Sequence, residues 1–108
     1  MDVKPRELVE YETENGKSPF SEWLSNLKDI NARALVRKRL NRIRLGNFGN
    51  TESVGDGVYE LKIFYGPGYR AYYALDGETL VILLCGGDKS SQGKDIQKAK
   101  EYWQDYRR

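Results

Sequence analysis

The chain has no histidine and a single cysteine among its 108 residues. The first absence removes histidine-activated nucleophiles, histidine general bases and histidine zinc ligands. The second excludes an internal disulfide framework and suits a reducing cytosol. Cys85 sits in the apolar run LVILLCGG and reads as a small buried hydrophobe, not as a reactive thiol. No apolar stretch approaches the roughly 20 residues that span a bilayer, and the N-terminus lacks a signal-peptide pattern. A cytoplasmic protein without membrane contact is expected. There is no large excess of either charge: 18 Lys and Arg stand against 16 Asp and Glu. Overall charge therefore does not mark a nucleic-acid binder. The glycine-rich GGDKSSQ lacks the GxxxxGK[ST] spacing, which argues against nucleotide hydrolysis. No carboxylate cluster suggests a metal, and no cofactor is expected.

The distribution of charge is more telling than its sum. Six cations and no acid lie between Arg33 and Arg44, whereas Glu7 to Glu22 is acid-rich. The length suits one domain, residues 1–108. Its organising stretch runs from Tyr59 to Lys89 and reads as three strands. Asp76-Gly77 predicts a two-residue hairpin, since both residues tolerate φ > 0. Gly66-Pro67-Gly68 predicts a looser turn. The implied registers pair Tyr73 with Leu80 and Lys62 with Tyr72. Side chains alternate, so Tyr59, Leu61, Ile63, Ala71, Tyr73, Leu75, Leu80, Ile82 and Leu84 form a core face. Glu60, Lys62, Phe64, Arg70, Tyr72, Val81, Leu83 and Cys85 share the other face, left open, with Lys89 just past its end. Cations and aromatics on one open face mark it as the place to look for function.

Upstream, Arg6–Thr13 reads as a strand ended by Asn15-Gly16. Ser18-Pro19 opens a first helix, with Ser capping and Pro losing no bonded amide. Asp29 caps a second helix reaching about Leu45, with Val36, Leu40 and Ile43 as its buried stripe. Its remaining surface is cationic, and Arg37 and Arg42 are candidates for phosphate contact. Asn50–Gly57 reads as a polar loop. A last helix, about Gln92 to Tyr106, carries Ile96, Ala99, Trp103 and Tyr106 on one stripe. The order β-α-α-β-β-β-α argues for an α+β fold, a small and mostly antiparallel sheet packed on helices.

That order, with ELKIFYGPGYRAYY and LLCGGDKSSQGKDIQKA, resembles the RelE/ParE superfamily of bacterial toxins. The GPGYR and GGDKSSQ motifs are similar to its HigB-like branch of addiction module killer proteins. The resemblance implies a type II toxin encoded beside a helix-turn-helix antitoxin. Many such toxins are mRNA endoribonucleases, or mRNA interferases, acting in the ribosome, while ParE relatives poison DNA gyrase. By this resemblance Arg70 matches the arginine at the scissile phosphate, Lys62 the basic residue of the preceding strand, and Lys89 a basic position after the third strand. A catalytic C-terminal tyrosine has no counterpart; Asp95 or a neighbour occupies its region.

Metal-independent RNA cleavage needs the 2′-hydroxyl deprotonated, the phosphorane charge stabilised and the leaving 5′-oxygen protonated. Arg70 is suited to clamp the phosphate. Lys62 beside it would have its pKa lowered and could act as base. Lys89 could balance charge or protonate the leaving group, and Tyr72 could stack a base. The alternatives are a gyrase-directed toxin and a non-catalytic binding module whose cations meet only an antitoxin's acids.

Overall fold

The computed structural model describes residues 4–108. Among them the order is β1 (Glu7–Glu10), α1 (Pro19–Asn26), α2 (Ile30–Arg44), β2 (Thr51–Gly55), β3 (Val58–Ile63), β4 (Tyr69–Asp76), β5 (Leu80–Gly87) and α3 (Gln92–Tyr106), with a short 3-10 turn over Lys89–Ser91. The helix starts follow local chemistry. Ser18 accepts the Ser21 amide ahead of Pro19, and Asp29 accepts the amides of Asn31 and Ala32. The fold is α+β, built on one mixed sheet in the order β1-β5-β4-β3-β2, with β1 parallel to β5 and the other pairs antiparallel.

Both faces of this sheet are covered, and so the open face expected from alternation is not open. Val36, Leu40 and Ile43 of α2 and Phe20 of α1 pack on Leu61, Ile63, Ala71, Tyr73, Val81 and Leu83. On the opposite face Ala99 and Trp103 of α3 cover Val58, Tyr72, Ala74, Ile82, Leu84 and Cys85. Val81, Ile82, Leu83 and Leu84 are all at most 4 % exposed. A strand buried on both faces carries no alternation by which to choose its register.

The register of β5 accordingly departs from expectation. Asp76 opposes Leu80 and Tyr73 opposes Leu83, so three residues close the turn, and Val81 and Leu83 change sides with Ile82. A bulge then places Leu84 and Cys85 opposite Tyr72. The Asp-Gly turn with positive φ at both residues is the other such pair, Asp56 (φ 55°) and Gly57 (φ 83°). It joins β3 to β2, a strand inside the stretch read as a polar loop. β2 is an edge strand with mostly exposed, polar residues, so no apolar period announces it.

In the β3–β4 hairpin Lys62 opposes Arg70, and Tyr72 opposes Glu60, two residues from the expected pairing. A shift of two preserves the facing of every side chain. Lys62 and Arg70 therefore remain on one side of the sheet. No helix among the described residues is long and apolar enough to cross a membrane.

Candidate functional site

The site lies where β3 and β4 leave the cover of α3. Arg70 is set by its backbone and by two contacts. Its Nη1 donates to the Gly68 carbonyl at 2.8 Å, and its Nε stands 3.2 Å from Glu60 Oε1, an ion pair not aligned as a hydrogen bond. Arg70 has 13 % of its side chain exposed and Glu60 only 1 %. The same Glu60 oxygen accepts the Gln92 amide at 2.8 Å and the Tyr72 hydroxyl at 3.3 Å. A buried carboxylate thus orients the guanidinium from below. Nη2 makes no hydrogen bond among the described residues, which leaves it for a ligand.

Lys62 and Lys89 flank this arginine. Lys62 lies directly across the strands from it and reaches Glu52 of β2 at 3.3 Å. Lys89 is exposed on the 3-10 turn. Arg70 and Lys89 meet at the Gly68 turn. A Cβ built on Gly68 would lie 3.3 Å from Arg70 Nη1 and 3.6 Å from Lys89 Cβ. Asp88 caps the turn by accepting the Ser90 amide at 2.8 Å and the Ser90 hydroxyl. Those bonds, the Ser90 hydroxyl above all and with a contribution from Arg70, hold its carboxyl below the usual value.

The expected residues thus divide. Arg70, Lys62 and Lys89 converge. Tyr72 does not join them, because α3 covers it: the side chain is fully buried, and burial followed by the Glu60 charge pushes its phenol well above the usual range. Its ring is not available to a base. Arg37 and Arg42 are both exposed but lie on different sides of α2. Arg37 lines a 280 Å³ groove with Leu8, Phe20 and Leu24, towards β1. Arg42 neighbours Arg39, whose guanidinium donates to the Lys62 carbonyl at 2.7 Å. Arg42 therefore flanks the β3 side and Arg37 the far one.

Alternation placed Glu60 on this face, yet its role as anchor of Arg70 was not read. A lone acid between buried strand positions is the signal that points to it. Gln92 opens α3 and carried none. Asp95, in the first turn of α3, accepts the Ser91 hydroxyl and sits over Gly87. Cys85 is buried, and burial pushes its thiol up to about 12, as a structural cysteine should be.

Comparison with known proteins adds two findings. The family described as Phage derived protein Gp49-like (DUF891) matches residues 22–104. A protein of Haemophilus influenzae, described only as uncharacterized, is 53 % identical over 81 residues, covering 75 % of this chain and 82 % of that protein.

Proposed function

Since the chain belongs to the phage-derived Gp49-like family, a RelE-like toxin family of addiction modules, we propose that it is a HigB-like toxin that cleaves messenger RNA on the ribosome without a metal and is held in check by an antitoxin. The observation that carries this reading is Arg70, oriented from below by Glu60 with Nη2 left for a ligand, between Lys62 and Lys89. The RNA 2′-oxygen, its proton passing to solvent, attacks the adjacent phosphorus, the bond to the 5′-oxygen breaks as that oxygen takes up a proton, and a 2′,3′-cyclic phosphate and a 5′-hydroxyl result. Arg70 donates to the non-bridging oxygens as charge develops there. Paired with Glu52, Lys62 acts as a charged donor rather than as the base. Lys89, exposed at the rim, supplies the proton to the leaving oxygen.

One observation favours a second reading, a toxin without nuclease activity. Glu60 and Glu52 already neutralise much of the charge on Arg70 and Lys62. A gyrase-directed toxin or a surface for an acidic partner needs no more chemistry than that.

Expression with and without the neighbouring gene separates the two. A ribonuclease leaves mRNA fragments ending in cyclic or 3′-phosphate, unchanged by EDTA in the chemical step, whereas a gyrase poison traps broken DNA and leaves message whole. Arg70→Ala should slow cutting about a hundred- to a thousandfold, the loss of roughly 2.7–4 kcal/mol for one preorganised donor. Arg70→Lys should rescue poorly, because one ammonium cannot meet Glu60, Gly68 and the phosphate together. Full toxicity of a folded Arg70→Ala variant would overturn the site.

A further inference from the structure

Phe64 stands in solvent. It is 78 % exposed, whereas every other Trp, Tyr and Phe among the described residues is buried or half-buried. It follows Lys62 by two residues, just past the end of β3, and leads into the turn at Gly68 where Arg70 and Lys89 meet. Two residues of extended chain span about 7 Å. The ring is thus within a nucleotide's reach of the cations.

Its neighbours identify what would cover it. The other large exposed hydrophobics among the described residues, Ile30 and Leu45, lie at the two ends of α2, which packs on the opposite sheet face. Phe64 is therefore not part of a contiguous apolar patch of the kind that marks a protein–protein interface. An isolated aromatic among cations matches single-stranded nucleic-acid sites, where backbone phosphates meet Lys and Arg and an unstacked base lies on a ring.

We infer that Phe64 is the stacking platform for an unpaired base next to the phosphate held by Arg70. The ligand class is single-stranded nucleic acid, not duplex, since paired bases already stack on one another and offer no free face to the ring. Phenylalanine has no polar atom with which to read base edges. Preference here follows stacking strength, favouring the larger purines. The inference rests on the nucleic-acid part of the reading above and replaces the stacking role that burial denies to Tyr72.

The test measures binding of the whole protein, by fluorescence anisotropy, to a short labelled 2′-O-methyl single strand that cannot be cut and to its abasic counterpart with the same phosphates. The wild type should prefer the base-bearing strand by roughly 5- to 150-fold, the range that stacking on one aromatic supplies. Phe64→Ala should bind both strands alike, Phe64→Trp should keep the preference, and Phe64→Leu should not. Equal binding of the two strands by the wild type, or an undiminished preference in Phe64→Ala, would overturn the inference. So would a Phe64→Ala variant that loses only its complex with the antitoxin, since the ring would then belong to a protein interface. Because the strands are uncleavable, the result stands apart from the mapping of cut message. A toxin that never cuts mRNA fails the nuclease reading while this measurement still decides the role of Phe64.

Discussion

At the scale of single residues, the site works by sharing. Glu60 is the one charged side chain of the core among the described residues, and its Oε1 serves Arg70, Tyr72 and Gln92 at once. A buried carboxylate so engaged fixes three side chains from two elements, β4 and α3, in one arrangement. Asp88 performs a smaller version at the rim, where it titrates. Its folded pKa lies below the ordinary 3.8 because the bonds from Ser90 favour the charged form. The sign follows: a depressed carboxylate contributes stability that is complete above the unfolded pKa and is lost as pH falls through the folded one. Asp88→Asn keeps a capping oxygen but cannot titrate. The stability difference between wild type and Asp88→Asn, followed by urea unfolding, should be constant near neutral pH and shift against the wild type as pH falls below about 4. A difference independent of pH down to the acid limit would remove Asp88 from the ionic balance of the site.

At the scale of elements, β5 decides the arrangement. It is an interior strand between β1 and β4, buried on both faces and bulged, and it ends in Gly86-Gly87. Neither glycine is replaceable without movement. A Cβ on Gly86 would enter the ring of Trp23 in α1, and one on Gly87 would collide with the Asp95 carboxylate at the start of α3. The strand end is thus where helices from both sheet faces close on bare backbone, and that closure delivers Asp88 and Lys89 to Arg70. Gly86→Ala should cost about 1–3 kcal/mol, the usual penalty for overpacking, read as a lower urea midpoint with altered Trp23 fluorescence. Unchanged stability would mean that α1 is free to shift away from β5. The helices themselves were legible in the sequence: the Ser18 and Asp29 caps and the stripe of Val36, Leu40 and Ile43 appear as expected, because capping and amphipathic spacing are local. The registers of the two hairpins were not, since a strand apolar on both sides fits the core in more than one alignment.

At the scale of the whole molecule, charge that is nearly balanced overall is unevenly displayed. The cations of α2 form one block in sequence, but the helix turns them to different sides. Arg42 flanks the β3 side through its neighbour Arg39, and Arg37 borders the groove towards β1. If RNA binds across Lys62 and Arg70, Arg42→Ala should weaken association and reduce its salt dependence, with little effect once the RNA is bound. Arg37→Ala should leave RNA binding as it was. Titrations at several salt concentrations distinguish the two, and an equal loss from both variants would move the RNA path onto α2.

The sequence by itself determined which segments would be helices, the α+β class, and the grouping of Lys62 and Arg70 on one side of a hairpin. These depend on caps, periodicity and parity, all properties of neighbours along the chain, and parity survives a register error of two. Only the tertiary structure decided that α3 lies across the second face, and that single placement buried Tyr72 and left Glu60 beneath Arg70 as its counter-ion. It also decided that Phe64, not Tyr72, is the aromatic left in solvent. Whether a ring is covered depends on what folds back over it from 30 residues away. No local pattern of apolar and polar residues carries that information, because both tyrosine and phenylalanine fit a core and a surface site equally well until the last helix docks.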